Sequence, residues 1–298
     1  MYDKIVSCPK YAISMKSFLV LTICLLGFHS LGQDKRAYRI YTSKGKVVRY
    51  HKMKKSLLKK DVVLFGELHN NAISHWLELE LTKDLYLKND LMLGAEMIES
   101  DNQMVLNQYL SGKIDKKAFD TLARFWPNYE TDYAPLVEYA RDKQLIFVAS
   151  NIPRRYANKV YKSGGFEVLD SLSEEEISWI APLPIRFDSE LPQYKKIIHM
   201  MGEHGSPSLV MAQALKDATM AHFILAHFKD EYQFLHFNGC FHSDYQEGIL
   251  WYLKQARPDI KYATISTVTQ PDINRLEQDY LGKADFIICV DEDVTETY

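Results

Sequence analysis

The sequence predicts an α/β fold: a mainly parallel β-sheet with helices on both faces, plus a smaller, mostly helical insertion. Two observations carry this expectation. Short apolar runs recur along the chain, and segments of helical spacing separate most of them. Strands joined through helices pair in parallel, and a parallel sheet has to be covered on both sides. The stretch 153–205 contains no such run and is interrupted by Pro182, Pro184 and Pro192.

In chain order, residues 38–50 read as a small hairpin ahead of the main sheet. Residues 61–65 are an apolar run ending at Gly66, the signature of a buried strand. Ile73, Leu77, Leu81 and Leu85 then recur at four-residue spacing, which predicts a helix. Further strands are expected at 91–95, 145–149, 232–237, 262–265 and 286–290, with helices around 102–110, 115–124, 134–143, 209–228 and 244–256. Within 153–205, Ser173 followed by Glu174, Glu175 and Glu176 marks a helix start, and 194–201 reads as another helix. The expected organisation is a core domain of 34–152 and 206–298, with 153–205 as a helical insertion or cap.

Composition excludes several classes. The 298 residues are 47% hydrophobic and 25% charged, which rules out disorder, collagen-like repeats and a polytopic membrane protein. A net charge of −3 with a pI near 6.4 argues against nucleic acid as a partner. Residues 1–33 read as a signal peptide behind a start codon assigned too early. Met15-Lys16 supplies a basic start, 18–28 an apolar run, and Ser30 to Asp34 a small, polar exit. That run is short of the roughly 20 residues a membrane span needs. An uncleaved amphipathic anchor is the alternative. Cleavage near Gln33 removes Cys8 and Cys24 and leaves only Cys240 and Cys289, too few for a disulfide scaffold. Ile23 before Cys24 argues against a lipid anchor. The expectation is an exported protein, periplasmic or membrane-associated.

Polar residues gather where the strands end, which is where ligands bind in parallel sheets. The first strand is followed by Glu67 and His69, with His75 further on; the second by Glu96, Glu99 and Gln103; the third by Asn151, Arg154 and Arg155; the fourth by Asn238 and His242. Glu67-x-His69 is the sharpest signal. A carboxylate and an imidazole two apart at a strand exit can bind a metal or form an acid–base pair, with His242 and Glu96 adding a nitrogen and an oxygen. A plain network of capping and loop hydrogen bonds is the alternative. His75, beside Trp76, reads as a bracing or structural residue. Gln213 and Asp217 share a face of an apolar helix and are candidates for bracing the site from behind. Arg154-Arg155-Tyr156 suits an anion, although on sequence alone a solvated pair opening a helix accounts for it better. His29, His51, His199, His204, His222, His227 and His236 read as background.

At these residues the sequence resembles the ChaN-like haem-binding family, a relative of the Tiki/TraB and erythromycin esterase-like superfamily. The matching strings are Val63-Leu64-Phe65-Gly66-Glu67-Leu68-His69-Asn70, Gly94-Ala95-Glu96-Met97 with Gln103, and Tyr133-x-Pro135-Leu136. Ala149-Ser150-Asn151-Ile152-Pro153-Arg154, Ala212-Gln213 with Asp217-Ala218-Thr219-Met220-Ala221, and Asn238-Gly239-x-x-His242 complete the set, in family order across roughly residues 55–255. The resemblance implies a core α/β domain with a smaller helical one, and haem or iron acquisition through a membrane transport system. It also implies iron held by tyrosine, with haems paired between two subunits, hence a homodimer. Tyr133 and Tyr156, within or beside matching motifs, are the candidate ligands, with Arg154 or Arg155 meeting the propionates. No C-x-x-C-H is present, so covalent haem attachment is not expected. Three function classes stay open: haem binding, favoured on the resemblance; a hydrolase, metal-dependent or acid–base, using Glu67, His69, Glu96 and His242; and a scaffold without activity.

Overall fold

The computed structural model describes residues 35–200, 202 and 205–298. The stretch 1–33 expected to be a signal peptide, the proposed start at Met15, Cys8, Cys24, His29 and His204 lie outside the described residues. Eight strands form one sheet: β1 (Tyr38–Thr42), β2 (Val47–Val48), β3 (Val62–Glu67), β4 (Leu91–Glu99), β5 (Ile146–Asn151), β6 (Gln233–Gly239), β7 (Tyr262–Gln270) and β8 (Phe286–Asp291), in spatial order β2-β1-β8-β7-β3-β6-β4-β5. All pairings from β8 through β5 are parallel, while β1 runs antiparallel to β8 and β2. The mainly parallel sheet is therefore observed. The hairpin is its edge rather than a separate element, and the chain turns helical at Tyr50.

Strand alternation sorts side chains between the two faces. Val63 and Phe65 of β3, with Leu93 and Leu235, enter one core. It is covered by α1 (Tyr50–Leu57), α2 (Ala72–Tyr86), α3 (Gln103–Leu110), α4 (Lys116–Leu122) and α5 (Ala134–Lys143). Val62 and Leu64, with Met92 and Phe234, face the other side, where Ile224 of α9 (Pro207–His227) and Leu253 of α10 (Ile249–Ala256) pack. Among the described residues no helix is long and apolar enough to cross a membrane.

Residues 153–205 supply α6 (Arg154–Ser163), α7 (Glu174–Ile177) and α8 (Pro192–Met200), and no strand among those described. They do not form a separate unit. Tyr156, Val160 and Leu169 share one apolar cluster with Leu215 and Ala218 of α9, and 37–298 is a single compact unit. The boundaries expected at 153 and 205 fall inside that unit, with most of this cluster supplied by 153–205 and completed by α9.

Two strands run past their expected ends. β4 continues through buried Met97 and Ile98 to Glu99, with a register shift against β5 between Ala95 and Glu99. β7 continues to Gln270 because its polar residues are buried with partners: Ser266 Oγ donates to Asp244 at 2.6 Å, and Thr267 Oγ1 lies 3.0 Å from Ser74 Oγ.

Candidate functional site

The parallel strands bring their carboxyl ends to one edge, where Glu67, the last residue of β3, is in register with Gly239, the last of β6. Glu67 is buried. Its Oε1 lies 2.6 Å from His69 Nδ1 and accepts from the Tyr133 hydroxyl at 2.7 Å. His69 is fixed through its backbone as well, since its carbonyl accepts from His75 Nε2 at 3.1 Å and from Asn128 Nδ2 at 2.9 Å. Trp126 meets the His69 ring edge-on, centroids 4.8 Å apart. His75 itself is placed by the start of α2, where the Asn71 side chain caps the helix by accepting from Ser74 N. Burial raises the Glu67 carboxyl, but the hydrogen bond from His69 and the neighbouring His75 imidazole outweigh it and hold the group at about 2. Burial lowers the His69 imidazole, but its bond to Glu67 together with the Glu96 and Glu67 charges outweighs this and raises it above its ordinary 6.5.

A second carboxylate–imidazole pair faces the first. Glu96, on the register-shifted end of β4, accepts from Gly239 N at 2.8 Å through Oε2, and its Oε1 is 3.1 Å from His242 Nε2. On the other side of that ring, His242 Nδ1 is 2.5 Å from Asp217 Oδ1, whose second oxygen accepts from the Tyr194 hydroxyl at 2.8 Å. The Gln213 amide nitrogen lies 3.0 Å from His242 Nδ1. Burial lowers His242, yet the Glu96 and Asp217 charges carry it up to about 9. His242 in turn holds Glu96 well below the usual carboxylate range, against the opposite push of burial.

The two pairs meet over Gly239. A Cβ there would stand 2.8 Å from His69 Nε2 and 3.5 Å from Glu96 Oε2, so only glycine admits the His69 ring this close. Both pairs line one cavity of about 1050 Å³, walled in part by Phe125, Trp126, Phe241 and Met200, with Arg154 and Lys216 also at its wall. The structure thus brings Glu67, His69, Glu96 and His242 into one crevice, with Asn151, Glu99, Arg154 and Gln213 also lining it.

Other candidates lie elsewhere. Tyr133 and Tyr156 are buried and do not line the cavity; their hydroxyls are spent on Glu67 and Glu176. Neither phenol is placed to meet a ligand in this cavity. Arg155 pairs with Asp101 at 2.7 Å and lies over the Tyr156 ring, away from the cavity. Gln103 clamps β5, donating to Phe147 O at 2.9 Å and accepting from Ala149 N at 2.7 Å. Asn238 accepts from His236 Nδ1 and donates to Gly239 O and Ser243 Oγ, so it shapes the turn. The four proposed metal ligands are also not gathered at ligand spacing; among the described residues the group that meets it is Glu67, His75 and Glu78. His242 has both nitrogens engaged by carboxylates instead. Sequence reasoning missed Tyr194, Trp126, Asn128 and Lys216. Lys216 alone left a signal, three residues from Gln213 on the same helical face.

Fold and site together define an α/β protein with one large cavity at the carboxyl edge of a parallel sheet, furnished with two buried carboxylate–imidazole pairs. The chain belongs to the family described as haem-binding uptake, Tiki superfamily, ChaN, which matches residues 53–253. A solved structure of cofacial heme binding to ChaN of Campylobacter jejuni is similar with a TM-score of 0.62 at 17% identity, over 84% of this chain and 96% of that one. A Bacillus cereus protein gives a TM-score of 0.50 at 11% identity, over 86% of this chain and 95% of that one. At these identities the likeness is one of fold. The Arabidopsis thaliana protein RETICULATA-RELATED 5, chloroplastic, is 29% identical over 112 residues, 36% of this chain; the chain spans 15% of that relative's length.

Proposed function

We propose that this chain binds haem in the strand-end cavity and serves haem or iron acquisition as an exported protein. The observation that carries the reading is the cavity itself. Its volume of about 1050 Å³ is at the top of the range for small-molecule sites, roughly 300–1,000 Å³. Phe125, Trp126, Phe241 and Met200 offer apolar surface to a macrocycle, and Arg154 and Lys216 offer cations to its propionates. The donor set fits iron. The His69 side chain is 37% exposed, and its Nδ1 is held by Glu67, which orients the ring and leaves Nε2 for a ligand. A carboxylate behind an imidazole in this way fixes its tautomer and raises its basicity. Bound haem would supply the iron chemistry; the protein's part is to present His69, shield one face with aromatics and meet the charged edge.

Titration of the haem-free protein with ferric haem tests this. A saturable Soret shift is expected in the wild type, weakened at least tenfold in His69→Ala. The absence of a saturable shift in the wild type removes the reading. Haem paired between two subunits, as the family resemblance implies, predicts a haem-dependent dimer by light scattering. The secretory pattern of residues 15–33 predicts a mature protein beginning near Gln33, which N-terminal sequencing of exported material checks. A membrane haem or iron transport system is the partner this role would require.

A second reading is favoured by one observation: the Glu67–His69 contact of 2.6 Å, opposed across Gly239 by Glu96 and His242, is the arrangement of an acid–base hydrolase. Ester or amide turnover lost in both His69→Ala and His242→Ala, with no Soret shift in the wild type, would select it.

A further inference from the structure

Behind the cavity, Glu67 joins two further residues, His75 and Glu78, that do not line it. His75 and Glu78 are one turn apart on α2 and both meet Glu67 from the end of β3. Exposure is 7% for His75, 0% for Glu78 and 1% for Glu67. Ligand-type atoms of the three lie within 4.8 Å of one another. His75 Nε2 faces the His69 carbonyl at 3.1 Å and so carries the ring hydrogen. In the neutral ring this leaves Nδ1 as a lone pair, and it stands 3.1 Å from Glu67 Oε2 and 3.3 Å from Glu78 Oε2.

Three acceptor atoms therefore converge in the interior. Glu67 Oε1 is satisfied by His69 and Tyr133, but Glu67 Oε2, the atom turned toward His75, is buried without a hydrogen-bond partner, and so is Glu78 Oε1. Buried polar atoms are rarely left this way. A proton on Nδ1 points well at only one of the two carboxylates and leaves the other without a donor. A metal cation answers all three. Ligand atoms each 2.0–2.1 Å from a tetrahedral zinc ion are about 3.3–3.4 Å apart, close to the two separations observed. An imidazole whose other nitrogen donates to a backbone carbonyl is also the usual metal-ligating form.

We propose that Glu67, His75 and Glu78 bind a divalent cation of zinc-like preference for nitrogen and oxygen donors, as a structural site behind the cavity wall, on the side of Glu67 away from His69. Because Glu67 is shared, the cation holds the carboxylate that orients His69. This inference does not rest on haem binding, and its test is made on haem-free protein, so either can fail alone.

The experiment is metal analysis of the haem-free protein, as purified and after equilibration with zinc or cobalt(II) followed by dialysis. Close to one equivalent per chain is expected, with a cobalt visible spectrum of four-coordinate intensity. The metal should be lost in Glu78→Gln and in His75→Ala and retained in His69→Ala and His242→Ala, each variant checked for folding by circular dichroism. Chelation should lower the Tm of the wild type and leave that of Glu78→Gln unchanged. Less than a tenth of an equivalent in wild type after equilibration overturns the proposal, whatever the variants do. So does metal retained in folded Glu78→Gln, or metal lost in His242→Ala, which would place it in the cavity.

Discussion

His242 Nδ1 stands 2.5 Å from Asp217 Oδ1, joining the turn after β6 to the middle of the longest described helix. Asp217 cannot contact a ligand directly while it lies behind the ring, so it acts by orienting and charging His242. Asp217→Asn is expected to lower the His242 pKa from about 9 toward or below its ordinary 6.5. Imidazole proton shifts in an NMR titration give the value; an unchanged pKa would mean that Glu96 alone sustains the shift.

The same groups set the pH dependence of stability. His242 is raised on folding, so its contribution is complete below about 6.5 and is lost as pH rises through about 9. Glu67 is depressed, so its contribution is complete above about 4.5 and is lost as pH falls through about 2. Denaturant unfolding across pH should therefore show greatest stability between about pH 4.5 and 6.5 from these groups. The alkaline decline should be shallower in Asp217→Asn. Haem binding through His69 has its own dependence: affinity should strengthen as pH rises above 6.5, because the protonated ring has no lone pair to offer.

Gly239→Ala tests the meeting of the two pairs. The backbone φ of −57° accepts alanine, so its effect is purely steric. A Cβ 2.8 Å from His69 Nε2 should displace the imidazole, weakening haem binding about tenfold and costing about 1–3 kcal/mol of stability. In a His69→Ala background the stability cost should shrink, which a double-mutant cycle would measure.

Tyr133→Phe and Tyr156→Phe should both keep the Soret shift, since neither hydroxyl reaches the cavity. Tyr133→Phe removes one of two hydrogen bonds to a buried carboxylate and should cost about 1–3 kcal/mol in chemical denaturation. Loss of the haem spectrum in either would restore a tyrosine ligand.

Gln103→Ala should lower stability by about 1–3 kcal/mol and leave haem affinity unaltered, because its amide serves the backbone of β5. A change in affinity would place it in the site after all.

Much of this protein was legible before any coordinates. The apolar runs located all six strands from β3 to β8, and the polar residues at their exits marked the rim that holds the cavity. Glu67, His69, Glu96 and His242 were found this way, because parallel strands must present their carboxyl ends together. What misled was polarity inside the sheet: Ser266, Thr267 and Glu96 fall just past the expected strand ends, yet each lies in a strand with a buried partner.

The amino-acid order by itself determined the sheet, its two covered faces and the edge at which chemistry is possible, since these follow from periodicity and from the rule that joins strands through helices. Only tertiary structure decided which polar groups are spent on one another. Tyr133 and Tyr156 look as available in sequence as His69 does. Their hydroxyls are consumed by Glu67 and Glu176, whereas His69 keeps one nitrogen open over a glycine. Burial and distance separate a ligand from a brace, and neither is written in local residue type.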